Sequence, residues 1–290
     1  MKFIYKFFFV FSVLLTIAAI VTTVVVWRKS GGDFLSVDFR GGSVLEVQFD
    51  QGRPAELPVI PGASVSPADV SNLIIRSHKI DDETRQKILA DLSVKYGPVT
   101  QLRFDDIGPT VGKQLKTNSI KAVIILLIVI TIYLAIVFRG MKRVLSPWAM
   151  GVAAILALLH DVLLPMGVLA FLGYYHGVEI GAVFVAAALT ILGYSVSDTV
   201  VVFDRIRENV QRLGGKQSFP DLVHMSIMQT LTRSINTSVT TLLALVAIFL
   251  FGGESIKYFA LALIIGITAG TYSSIFIASP IIVWWHGRRR

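Results

Sequence analysis

Six stretches of this chain read as continuous apolar runs, at about residues 7–27, 120–138, 147–172, 180–203, 235–251 and 258–285. A helix that crosses a bilayer needs roughly 20 predominantly apolar residues, so the pattern predicts six membrane spans. The polar interval between the first two has another rhythm. Over residues 43–49, Leu45, Val47 and Phe49 alternate with Glu46 and Gln48, the period of a half-buried strand. Residues 66–75 predict a helix start, with Ser66 as cap, Pro67 in the first turn and Asp69 at the positive dipole end. A second helix follows from the stripe Ile88, Leu92 and Tyr96, stopped at Gly97-Pro98. Residues 99–104 alternate again, with Leu102 and Phe104 on one face. Residues 51–64, rich in Pro and Gly, predict a loop.

Three segments result: residues 1–28, an N-terminus and first span; 29–118, a small α+β domain; and 119–290, five further spans. The expected fold class is a membrane all-α bundle of six transmembrane helices carrying that one domain. The first apolar run is longer than a signal-peptide core of roughly 7–15 residues, and no small-x-small cleavage site follows it, which predicts an uncleaved anchor.

Composition agrees. Hydrophobic residues make up 54% and charged residues 16% of the chain, against about 25% charged in soluble domains. The net charge of +8 need not mean nucleic acid, because its placement is informative. Lys2 and Lys6, Arg139, Lys142 and Arg143, Arg205, Arg207, Arg212 and Lys216, and Arg288 to Arg290 all fall on one side of six alternating spans. The positive-inside rule then puts both termini in the cytoplasm and the small domain outside. Arg28, Lys29, Lys113, Lys116 and Lys121 lie on the other side, beside a folded domain that the rule covers poorly. The absence of cysteine excludes disulfides and thiolate metal sites.

Ionisable groups inside spans are costly and mark function by default. The fourth span carries Thr190, Tyr194, Ser197 and Asp198 at helical spacing. The fifth opens with Arg233, Asn236, Thr237, Thr240 and Thr241, a polar stripe that brings an Asp198–Arg233 pairing within reach. In the third, Asp161 is a second proton-site candidate and His160 a packing residue; adjacent helical positions diverge by about 100°. In the sixth, Ala262, Gly266, Gly270, Ser274 and Ala278 recur every four residues, a face for close helix packing. The domain shows no catalytic cluster. Asp81, Asp82 and Glu83 read as a solvated helix start, since a hard-cation site needs several convergent oxygens.

With these residues in view, the chain resembles the SecF branch of the SecD/SecF protein-translocation family. Residues 37–49 are similar to the family's Asp-Phe-x-Gly-Gly segment, which here is Asp38, Gly41 and Gly42. Residues 107–115 are similar to its Gly-Pro-x-Val-Gly motif, here Gly108, Pro109 and Gly112. Residues 159–162, 193–209 and 230–243 are similar to its third-, fourth- and fifth-span signatures. The resemblance implies a ferredoxin-like extracytoplasmic domain and pairing with SecD in a twelve-helix assembly of the resistance-nodulation-division type. It implies work alongside SecYEG, SecA and YajC on a translocating preprotein in the bacterial inner membrane, driven by the proton gradient without a cofactor. By motif, Asp198 and Arg233 correspond to residues of proton passage. One departure stands out: the family domain inserts a strand pair between its two helices, whereas here only residues 79–83 separate the expected helices. A reduced domain topology is therefore expected.

Three other readings compete: a small-molecule or lipid exporter of the same superfamily, an intramembrane aspartyl protease using Asp161 and Asp198 as a dyad, and a structural scaffold. No phosphate-binding loop is present, which excludes ATP hydrolysis by a P-loop.

Overall fold

A computed structural model describes every residue except 1–2, 32–33, 68–69, 142–143, 145, 214–215 and 289–290. Lys2, Asp69, Lys142, Arg143, Arg289 and Arg290, named above, lie outside the described residues. Six helical segments long and apolar enough to cross a membrane are present among those described. They are α1 (Phe3–Ser30), α4 (Pro109–Val137), α5 (Pro147–His176), α6 (Ala182–Leu213), α7 (Phe219–Phe251) and a composite of α8 (Glu254–Ser273), a π-turn (Ser274–Ala278) and α9 (Ser279–Gly287). Several outrun their apolar cores. In particular, α7 starts well before residue 235, at Phe219, where Ser218 caps it, and α4 starts at Pro109, inside the segment assigned to the domain.

The bundle is organised around α8, which packs on α5, α6 and α7, while α1 and α4 lean on α5. Lipid gives helices no hydrophobic reason to associate, so small residues that allow close approach decide the packing. A side chain at Gly266 would collide with Ile191, and a Cβ at Gly270 would lie 3.0 Å from Ser195 Cβ. The four-residue repeat therefore faces α6. By contrast, α1 and α4 keep long rows of exposed Ile, Val, Leu and Phe suited to acyl chains or a neighbouring chain.

The α+β module corrects the sequence reading. The described residues between 66 and 75 are not helical. They contribute to β2 (Ala63–Pro67) and β3 (Asn72–Ser77), which pair antiparallel with each other. Leu73 and Ile75 alternate inward and are fully buried, so the period is two rather than 3.6. With β1 (Gly42–Phe49) and β4 (Val99–Ile107) the sheet order is β2-β3-β1-β4, antiparallel throughout. The strand pair expected to be missing is thus present, and the first helix of a ferredoxin-like unit is what is replaced, by loop. The helix α3 (Asp82–Tyr96) covers the core of Leu45, Val47, Phe49, Leu73, Ile75 and Ile80 with Ile88 and Leu92. Asp81 caps it, its Oδ1 accepting the Thr84 N–H at 2.9 Å. Leu102 does not share a face with Phe104. The pairing slips between Glu46 and Val47, leaving Leu102 unpaired in a bulge and 47% exposed.

Candidate functional site

The two family-type motifs meet where the module joins the bundle. The short helix α2 (Val37–Arg40) ends at Gly41, whose φ of +78° suits glycine. A Cβ at Gly41 would lie 2.7 Å from Pro109 Cα, and one at Gly112 would lie 2.8 Å from Gly41 N. Asp38 then reaches the first turn of α6, where Oδ2 accepts the Ala182 N–H at 2.8 Å. Free N–H groups and the positive dipole end make that terminus a natural carboxylate site. Ser36 N–H donates to Ile180 O at 3.0 Å and Ile180 N–H to Phe34 O at 2.8 Å. An ion pair closes the junction, Arg76 Nε to Glu179 Oε1 at 2.6 Å, with both side chains 15% exposed. Burial pushes the Glu179 carboxyl above its ordinary range, with Arg76 pulling the other way, and burial lowers Arg76. Desolvation therefore outweighs the attraction on both partners.

From that junction α6 descends into a hydrogen-bonded seam built in turns. Nearest the module, Tyr194 Oη donates to Ser238 Oγ at 3.3 Å, and Ser238 also bonds Thr271. At the next level Asp161, fully buried, accepts from Ser195 Oγ at 2.6 Å and Ser273 Oγ at 2.8 Å. His160 Nδ1 lies 2.8 Å from Asp161 Oδ1, and its ring stacks on Tyr272. Just beyond, half-buried Asp198 accepts from Ser234 of α7 and from Ser274 Oγ of the π-turn, the latter at 2.7 Å. Within the seam two buried polar atoms, His160 Nε2 and Thr199 Oγ1, have no hydrogen-bond partner among the described residues.

The fifth-span stripe lies elsewhere. Arg233, Asn236, Thr237 and Thr240 are exposed on α7, and Ser197 is exposed on α6. Among the described residues no ion pair joins Arg233 to Asp198; Ser234, the next residue, provides the contact. One step along a helix turns the side chain by about 100°, so the inward face is Ser234 and Ser238. Sequence reasoning missed Ser195, Ser234, Ser238, Thr271 and Ser273, and read Ser274 as packing alone. The signal available was a second four-residue spacing, Ser234 and Ser238, inside the stripe already noted. No cluster of three metal-ligating side chains occurs among the described residues.

Fold and seam define a six-span membrane protein whose carboxylates are held by hydroxyls inside the bundle and whose small module is fastened to the helix bearing one of them. Residues 88–288 match the protein export membrane protein SecD/SecF C-terminal family, and residues 35–52 match the SecD/SecF GG motif. The chain is 40% identical to protein translocase subunit SecF of Thermobaculum terrenum over 88% of this chain and 85% of that one. It is 36% identical to protein translocase subunit SecDF of Thermus thermophilus over 88% of this chain but only 35% of that one. The crystal structure of SecDF from Thermus thermophilus superposes with a TM-score of 0.82 at 32% identity, covering 99% of this chain and 38% of that chain. The chain belongs to the SecD/SecF family of protein export membrane proteins and is a translocase accessory subunit.

Proposed function

We propose that this chain pairs with a SecD-type partner and couples proton movement through the Asp161–Asp198 seam to late steps of protein export, without enzymatic chemistry of its own. The observation that carries this reading is Asp198, a carboxylate held at mid-bundle by serines from two different helices. A charge at that depth is costly and needs a reason. Moving one charge across 100 mV is worth roughly 2.3 kcal/mol, enough to bias two packings of a helix bundle. The path from Asp198 along α6 to Asp38 and the module supplies a mechanical connection to the side where a polypeptide emerges. There the outer edges of β2 and β4, unpaired in the sheet order, offer backbone groups to an extended chain.

The exposed polar face of α7 supports the partner. Arg233, Asn236, Thr237 and Thr240 are badly placed against acyl chains, and SecDF relatives carry a further two thirds of chain beyond the matching part. In this reading both termini are cytoplasmic, the module is extracytoplasmic, the membrane is the bacterial inner membrane, and Arg233 acts toward Asp198 only when the helices rearrange. SecYEG, SecA, YajC and the preprotein are the remaining partners. A protease dyad finds no support, because Asp161 and Asp198 bond to separate serines. The test is Asp198→Asn in inner-membrane vesicles. Proton-dependent export is expected to fall to the level without a gradient while the complex still copurifies; unchanged export overturns the proposal.

A further inference from the structure

Two consecutive residues, Ser273 and Ser274, reach two different acids. Ser273 Oγ lies 2.8 Å from Asp161 Oδ2 and Ser274 Oγ lies 2.7 Å from Asp198 Oδ2. The register of the helix changes at this point, where the Ser279 N–H bonds to Ser274 O across a π-turn and Ser279 Oγ adds a second bond to the same carbonyl at 2.8 Å. Such turns recur at functional sites. Each hydroxyl also has another acceptor within reach. Ser273 Oγ lies 3.2 Å from Gly270 O, and Ser274 Oγ lies 3.0 Å from Thr271 O.

A hydroxyl carries one proton and two lone pairs, so each serine has two satisfied settings. Facing an ionised acid, it donates to the carboxylate. Facing a protonated acid, its oxygen accepts the carboxyl O–H while its own proton turns to the backbone carbonyl. The serine–acid hydrogen bond is kept in both settings, and the protonated setting adds the bond from the serine to the backbone carbonyl. We propose that Ser273 and Ser274 are positioning residues that make Asp161 and Asp198 reversible proton sites, each serine switching between donor to a carboxylate and acceptor from a carboxylic acid. This rests on the proton-carrying reading of the seam. In loading, a hydronium ion gives its proton to a carboxylate oxygen, a carboxyl O–H bond forms, and water leaves. No covalent bond of the serine breaks, and unloading to water is the reverse.

The titratable groups facing the pair are few. His160 bonds Asp161 from α5, Tyr272 stacks on His160 from α8, and Tyr194 lies one turn away on α6. From α7, Arg233 flanks Ser234. The α1 helix reaches this level through the Ser12 hydroxyl, which bonds Tyr272 at 2.9 Å, and His286 of α9 bonds Val144 O at the opposite end.

The experiment is an infrared titration of the carboxyl band in the full chain, assembled with its partner in lipid and without a gradient. Loss of the band in Asp198→Asn assigns it. Ser274→Ala is expected to move its pH midpoint by on the order of one unit, since the bond lost from the ionised acid is stronger than the one lost from the protonated acid. Ser274→Thr, which keeps the hydroxyl, is expected to return it. Ser273→Ala should do the same to the Asp161 band. A midpoint unmoved by Ser274→Ala overturns the proposal; if that variant does not assemble, Ser274→Cys, a weak donor, is held to the same standard. The band is read with no export under way. Export that ignores Asp198→Asn would sink the transport reading and leave the titration shift standing.

Discussion

Asp38 Oδ2 accepts the backbone N–H of Ala182 at 2.8 Å, so the segment leading into the sheet is fastened to the first turn of the helix that carries Asp198. The contact spans the boundary between module and bundle and is charge-assisted. Removing it in Asp38→Ala leaves an orphan helix N–H, at a cost of about 1–3 kcal/mol. Faster amide exchange in the first turn of α6 and a lower thermal midpoint are expected, with Asp38→Asn in between. Exchange equal to the unsubstituted chain would show that the fastening carries no load.

Glu179 gives this junction a pH dependence. Burial raises its carboxyl above the ordinary value of 4.5, so its contribution to the docked state is complete below that value and is lost as pH rises through the raised one. Acidification should therefore tighten the junction. The group lines a cavity of about 480 Å³ shared by module and bundle, which gives protons access. Exchange protection of the Ile180 N–H should rise on going from neutral to mildly acidic pH, and Glu179→Gln should flatten the profile. A profile that survives the substitution assigns the effect to another group.

The glycines of the motifs are not equivalent. At Gly41 an added Cβ meets backbone of Pro109 at a positive φ, whereas at Gly108 nothing lies within 4 Å. Gly41→Ala should destabilise by on the order of 1–3 kcal/mol through overpacking and backbone strain. Gly108→Ala should leave the thermal midpoint within error.

The exposed face of α7 can be tested by labelling, because the chain contains no cysteine. Thr237→Cys should react with a maleimide when the chain is alone and be protected when the partner is bound. Equal reactivity in both states would place the partner elsewhere.

Much of this architecture was legible in the sequence, and the failures have physical causes. Hydropathy located all six spans but cut α7 short, because residues 219–234 form an amphipathic helix whose polar positions dilute the apolar run. The strand pair was read as a helix because Ser66 and Pro67 look like a helix start, while the alternation of Leu73 and Ile75 occupies only six residues. A bulge moved Leu102 off the core face, and no local pattern announces a bulge. In the seam, the acids were visible as rare charges in apolar runs. Their serine partners were not, since serine is common at helix contacts and which side of a helix faces inward is decided by the neighbour.

The most direct measurement is proton flux into liposomes holding the assembled complex under an imposed pH gradient, followed with an internal pH dye during export. Flux that rises with export in the unsubstituted complex and vanishes in Asp198→Asn is the expected result. Equal flux in both, with export intact, would mean that Asp198 carries no proton and that the seam serves only to hold the helices together.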